Sequence, residues 1–516
     1  MKQQRKLFYL SLALFMIIVS FGCSTANNDD SVSAEEITPV ESFQVGASVK
    51  VLVPPDNPDW YNEVCIGGFG ILGIRNFSKL MTARADGVHD PLYSRAMVIS
   101  QGSKTIAFLV LDAAMLSNNV IRDITEGASE KTGIPAWQIY VAATHSHSSM
   151  DLLGYMGGVS DEYRAFLVKA CIQTIVNAVD DKTPVELLVS QTQYNRMPIL
   201  KDGAEIIKNG ETLKWVYNRR GWTTLKTDEA KNYVKPNYSY PDVDSTINVL
   251  EAVDLETGKP KGVLINYACH PVIVVDTSRK LSRDFCGYLV DYVQKEVGAP
   301  TIFIQGTQGD VNPGDWEDFG ADDTNCYAFA KQFGEGVAKQ AIASMSDQAV
   351  IGNEMYISGS TVPVIIDNPL MKLLLSVQKS VIDMTFTGKN QAKAYLAYIR
   401  LGKELQIITY PGEPVTHMGL GINADEHYGK DSSVIKAIVG PKQLMKAPFK
   451  MVAGLTGDTL LYLVPSVEWK NSPDPMAGIS AETPYEEQMS MSLEGVFADE
   501  CRIAVNKMIE ADTEMR

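Results

Sequence analysis

The chain has 516 residues, 45% hydrophobic and 21% charged, a balance that excludes a disordered chain, a collagen-like repeat and a polytopic membrane protein. Its formal charge of -16 repels a phosphate backbone, which argues against nucleic acid as a partner. Only six histidines are present (His89, His145, His147, His270, His417 and His427), so the side chains able to serve a metal or carry a proton near neutral pH are few.

In chain order, residues 1–22 read as an address. Lys2, Arg5 and Lys6 precede an apolar stretch at 7–19. That stretch is short for a membrane span of about 20 residues and suits a signal peptide. Gly22-Cys23 follows, and a small residue before a cysteine here resembles a bacterial lipoprotein signal. The expectation is a protein anchored by a lipid on Cys23 in the cell envelope of a Gram-negative bacterium, on the periplasmic or surface face of the outer membrane. Removal of 1–22 takes away three positive charges and no negative one, so lipid rather than a basic patch would do the anchoring. Residues 23–45 read as a polar linker and 46–516 as the folded part. Six further cysteines show no CxxC spacing, and both disulfides and buried thiols stay open.

From residue 46, apolar runs alternate with amphipathic stretches. Strands are expected at 104–111, 138–143, 185–191, 262–268, 301–305 and 404–410. Helices are expected at 118–132, ended by Gly133-Ile134-Pro135, and at 163–179, 285–297 and 327–345. Residues 199–240 are polar and aromatic without apolar period, as in an insertion or a surface loop. Asp284 reads as a helix N-cap. The alternation argues for an α/β fold, a mixed sheet flanked by helices, with the active site at the C-terminal ends of strands.

Four expected strands end in turns bearing histidine, glycine or acid. Thr144-His145-Ser146-His147-Ser148 follows one; the two histidines would share a face if the strand continued. Cys269-His270-Pro271 follows another, and Pro411-Gly412-Glu413 a third. His145, His270 and Glu413 make a His₂Glu donor set of the kind that binds zinc with a position left for water. Alone, each motif is equally compatible with hydrogen-bonded loop residues, and Gly309-Asp310-Val311-Asn312-Pro313 is good turn chemistry in itself.

Taken together and in this order, Gly87–Ala96 (GVHDPLYSRA), Ala143–Ser148, Tyr194–Pro198 (YNRMP), Asn266–Pro271 (NYACHP), Phe303–Pro313 (FIQGTQGDVNP) and Pro411–Glu413 resemble the neutral/alkaline ceramidase family over roughly residues 45–510. The resemblance implies a zinc-dependent amidohydrolase with a lipid-like amide substrate and a catalytic domain at 46–516; the family's extra C-terminal β-sandwich is not expected here, a departure from its long members. It implies zinc on His145, His270, Glu413 and a tyrosine. Tyr462, after Gly454-Leu455-Thr456-Gly457-Asp458, is assigned that place, although strict spacing would put Thr459 there. His147 would carry a proton or support a ligand, Arg196 would lie in the active site, and Asp310 would share the proton work. The family has serine in its G-D-x-S-P turn, where this chain has Asn312. An amide cannot act as a nucleophile or relay a proton as a hydroxyl does, but it can donate a hydrogen bond to an oxyanion. That departure keeps two rivals open: a binding protein that retained the fold without the chemistry, and a metal hydrolase of a non-lipid ester or amide.

Overall fold

The computed structural model describes residues 41–52, 64–68, 84–154, 158–194, 198–208, 211–212, 215–218, 243–274, 278–313, 322, 324–364, 393–422, 437–469 and 495–515. Cys23, Arg196 and His427 lie outside them. The principal elements are β1 (Phe43–Val51), β2 (Tyr93–Gln101), β3 (Lys104–Leu111), α1 (Asn118–Thr132), β4 (Ile139–Ala143), α2 (Asp161–Asp180), β5 (Thr183–Gln193), β6 (Thr246–Asp254), β7 (Pro260–Tyr267), α3 (Asp284–Val297), β8 (Thr301–Gln305), α4 (Cys326–Ser344), β9 (Met355–Pro363), β10 (Lys393–Leu401), β11 (Leu405–Thr409), β12 (Phe449–Ala453) and α5 (Gly495–Ala511).

The main sheet runs β8-β7-β6-β5-β1-β2-β3-β4. Only β7/β8 and β3/β4 pair in parallel; the neighbours between them are antiparallel. A second sheet runs β9-β10-β11-β12. The α/β class with a mixed sheet and flanking helices is therefore as expected. The second sheet is an addition, since only its β11 was legible.

Period-two alternation builds the layers. On β2, Met97 and Ile99 face the second sheet, and Ala96 and Val98 face α1 and α2. On β3, Ile106, Phe108 and Val110 point one way while Ala107, Leu109 and Leu111 point the other. Helices α3 and α4 cover β6, β7 and β8 through Phe285, Leu289 and Phe333. Helix α5 covers the outer face of the second sheet through Phe497, Cys501 and Val505. Each fully buried aliphatic or aromatic side chain contributes about 1.5–3 kcal/mol of transfer free energy. Helix α1 begins where Ser117 accepts the Val120 N–H and stops at Gly133, whose φ of +74° is the left-handed value glycine takes without strain.

Three boundaries differ from expectation. Strand β1 starts at Phe43, so 43–45 belong to the sheet and not to a linker. Within 199–240, Ile199, Trp215 and Val216 are buried against α4 and β7, because Trp215 packs on Phe333. Of the two readings of that stretch, the insertion is the one these residues fit, and they are anchored in the core. Asp284 lies inside the first turn of α3, and its carboxylate accepts the N–H groups of Val274 and Phe285, fastening the loop after His270. The six described cysteines are all buried free thiols.

The sheet curls until its two edges meet. Gln305, at the end of β8, donates its Nε2 to the Thr144 carbonyl just past β4, at 3.0 Å. This contact brings two loops distant in sequence to one place.

Candidate metal centre

Strand β4 stops at Ala143, and His145 adopts a left-handed φ of +69°, uncommon for a residue with a side chain. The bend is held by the His145 N–H to Ala113 O and by its Nδ1 to Ala114 O, at 2.6 Å. The histidine pair thus converges through a strained turn and not through strand alternation. Serines fix the loop: Ser146 donates to Ser282 O, Ser148 to Val274 O and Ser149 to Ser146 O. The His147 N–H reaches Pro271 O, so the two histidine loops are laced together.

His270 follows β7. Its backbone N–H bonds Val311 O, and its Nδ1 bonds Gln308 O at 2.7 Å. Glu413 follows β11 in a short parallel bridge, directly opposite Tyr462. Gly412 is needed there: a Cβ would stand 2.4 Å from Leu461 O. Asp310 fixes the next turn, accepting from Thr416 N and Oγ1 through one oxygen and from Asn218 Nδ2 through the other.

These turns bring one donor set together. Glu413 Oε2 lies 3.1 Å from His145 Nε2 and 3.1 Å from His270 Nε2. His147 Nε2 lies 3.3 Å from His145 Nε2, and Tyr462 Oη lies 3.4 Å from His270 Nε2. The ligand atoms of His145, His147 and His270 all fall within 4.8 Å of one another. His145, His270 and Glu413 are almost wholly buried, whereas His147 is half-buried.

The carbonyls behind the rings decide the chemistry. A carbonyl only accepts, so Nδ1 of His145 and of His270 must carry the proton, and the Nε2 of a neutral ring is then a lone pair. Two lone pairs and a carboxylate pointing at one spot need a positive charge there. Protons supply it in the bare protein. Burial works against the Glu413 carboxylate, yet the two imidazoles hold it well below the usual carboxylate range. Burial likewise disfavours the charged His145 ring, yet Glu413 raises its pKa above the ordinary value. A divalent cation supplies the same charge better. Donors about 2.0–2.1 Å from one tetrahedral ion are separated by roughly 3.3–3.4 Å, close to the spacings found. The residues fit a metal ion.

Of the expected site residues, His145, His147, His270, Glu413 and Tyr462 lie together. Thr459, the alternative to Tyr462, is engaged elsewhere: its Oγ1 bonds both N and O of Leu116. Asp310 braces this region, accepting from Thr416 N, Thr416 Oγ1 and Asn218 Nδ2. Asn312 adjoins the Val311 carbonyl that holds His270, with its Oδ1 buried and unpartnered. His89 stands apart, bonded to Tyr288 and stacked on Tyr327 at 3.5 Å. Sequence reasoning missed the orienting carbonyls of Ala114 and Gln308, for which no side-chain signal exists. It also missed the lacing serines, which the run Ser146, Ser148, Ser149 did offer.

Comparison with known proteins gives a consistent picture. The family described as neutral/alkaline non-lysosomal ceramidase, N-terminal, matches residues 72–385. A protein named Neutral ceramidase 3 from Arabidopsis thaliana is 27% identical over 193 residues, which is 36% of this chain and 24% of that protein. The match therefore spans about a quarter of that relative's length. The crystal structure of neutral ceramidase from Pseudomonas aeruginosa superposes with a TM-score of 0.61 at 15% identity, covering 90% of this chain and 75% of that one. A structure described as ceramidase complexed with C2 gives 0.59 at 14% identity, covering 90% and 76%. At these identities the structures speak for the fold.

Proposed function

The chain belongs to the neutral/alkaline non-lysosomal ceramidase family, and from that premise we propose that it is a zinc-dependent hydrolase cleaving the amide bond of an N-acyl amide of the ceramide-like class. One observation carries the reading: Nε2 of two buried histidines and Oε2 of Glu413 meet at 3.1 Å, with both Nδ1 protons committed to backbone carbonyls.

In this reading His145, His270, Glu413 and Tyr462 hold the ion. Zinc would supply Lewis acidity, polarising the scissile carbonyl and lowering the pKa of water towards neutrality. The chain supplies the rest. Ala114 and Gln308 fix the tautomer and aim of the two rings. His147 accepts at Nε2 the proton that the attacking water loses as its oxygen bonds the carbonyl carbon, and returns it to the leaving nitrogen as the C–N bond breaks; its half-buried position keeps Nε2 open to the substrate side. Asn312 donates its amide N–H to the carbonyl oxygen as negative charge develops, and Arg196, on the family resemblance, assists it. Asp310 keeps Glu413 aimed through Thr416. The lipid-like substrate is supported by family membership, and by the relative solved as ceramidase complexed with C2. A lipid on Cys23, in the envelope of a Gram-negative cell, would hold the enzyme beside such substrates; the sequence of residues 1–23 supports it.

The test uses the full chain. Elemental analysis should find one zinc per wild-type chain and little in His145→Ala. The zinc-loaded protein should hydrolyse N-acyl amides in preference to peptides and esters. Stoichiometric zinc in His145→Ala would remove the ligand assignment, and inertness towards every N-acyl amide would remove the activity.

A further inference from the structure

A groove of about 1030 Å³ opens away from the histidines. Helix α1, the 3₁₀ turn Ala136–Gln138 and the start of β4 form one wall; β9 and β10 form the other. The metal-site loops leave β4 at its opposite end, and no residue of the donor set lines the groove.

Two aromatic side chains stand half-open in it. Trp137 is 43% exposed and Tyr395 is 51% exposed. The indole is not loose. It rests on the β9 backbone at Gly359, where a Cβ would stand 2.9 Å from Trp137 Cε3. A glycine inside a strand often marks such a close approach. The ring is held against β9 through Cε3 and Cζ3 while the residue stays 43% exposed, so less conformational freedom remains to be lost on binding. Ser358 and Ser360 flank Gly359 and share one side of β9, adding hydroxyls to the wall. Tyr140, 3% exposed, lines the groove with its hydroxyl buried and unpartnered. The charges at the walls are of both signs, Arg122 and Lys393 against Glu126, so the groove has no strong preference for an anion.

A long acyl chain asks for an unbroken apolar lining, which hydroxyls and charges interrupt here. A sugar ring asks for what is present: a flat aromatic surface for its C–H face, with hydroxyls and mixed polar groups at its rim. The volume lies at the upper end of small-molecule sites, about 300–1,000 Å³.

We propose that this groove is a carbohydrate-binding site, with Trp137 and Tyr395 as the platforms for the sugar rings. It is separate from the hydrolytic centre and does not depend on what that centre cleaves.

The full-length protein is titrated with neutral trisaccharides built on glucose, galactose, mannose and N-acetylglucosamine, following tryptophan fluorescence and heat. At least one should bind saturably, with a Kd below about 10 mM. Trp137→Ala and Tyr395→Ala should each weaken it by about tenfold or more. Trp137→Phe should keep part of the affinity, and His145→Ala should bind sugar like wild type. Gly359→Ala, which displaces the indole without removing a polar group, should also weaken binding. Circular dichroism checks that each variant is folded. The proposal falls if no trisaccharide binds, if binding survives both alanine variants unchanged, or if dodecanoate or an extended octapeptide occupies the groove in preference to every sugar.

Discussion

Replacing Glu413 by Gln tests the metal centre with almost no change in volume. The carboxylate faces two buried imidazoles at 3.1 Å. A unit charge pair at that distance interacts by about 5 kcal/mol at an effective dielectric of 20. Desolvation takes part of this back, and breaking such a buried pair typically costs about 3–5 kcal/mol. The metal-free Glu413→Gln protein should therefore be less stable than metal-free wild type by about that amount near pH 6. The sign of the pH dependence follows from the shifts. Glu413 titrates below its unfolded value, so its contribution is present above about pH 4.3 and is lost as pH falls through the lowered folded pKa. His145 titrates above its unfolded value, so its contribution is present below about pH 6.5 and is lost as pH rises through the raised folded pKa. The stability gap should be widest between those limits and shrink towards pH 9. Urea midpoints of chelator-treated wild type and variant across pH 4–9, with zinc content measured in parallel, read both effects. Equal midpoints at pH 6 together with undiminished zinc binding would refute the convergence of these three side chains.

The other predictions are shorter. His147→Ala should keep zinc by elemental analysis yet lose about 10²–10⁴-fold in hydrolysis, since it removes a proton carrier rather than a ligand. Gly412→Ala should lower stability by about 1–3 kcal/mol, because its Cβ meets the Leu461 carbonyl, and should lower zinc occupancy by displacing Glu413. Asp310→Ala strands the Thr416 and Asn218 donors, so thermal melting should fall by an amount equivalent to about 2 kcal/mol or more; the pH profile of any remaining hydrolysis should stay unchanged, as expected of a brace.

The site was readable where chemistry is written in side chains at strand ends. His145, His270 and Glu413 each follow an apolar run that did become a strand. Their meeting was not readable: that of His145 and His270 depends on the edges of the main sheet closing on each other, a property of twist summed over many strands, and Glu413 reaches them from the second sheet. The second sheet was largely missed for a different reason. On β9, Ser358, Gly359, Ser360 and Thr361 break the apolar alternation, since much of that strand borders the groove instead of the core. Helix α5 was missed because polar residues such as Arg502, Asn506 and Lys507 interleave with its buried face of Phe497, Ala498, Cys501 and Val505. Within 199–240 a polar neighbourhood left insertion and surface loop equally open, and only the burial of Trp215 distinguishes them.

The seam between the two sheet edges also sets when the centre can exist. Its ligands are far apart along the chain, with His270 and Glu413 separated by 143 positions and His270 and Tyr462 by 192. A growing chain that has emerged only through β8 carries His145, His147 and His270 but neither the acid nor the phenol. The set of His145, His270, Glu413 and Tyr462 is complete only when β11 and the 462 bridge have joined the body, and an ion held there, as proposed, would tie together segments more than a hundred residues apart. On the proposed function, occupancy of the four-donor centre would report that these distant segments have come together, and a chain truncated before residue 413 would lack the carboxylate that completes it.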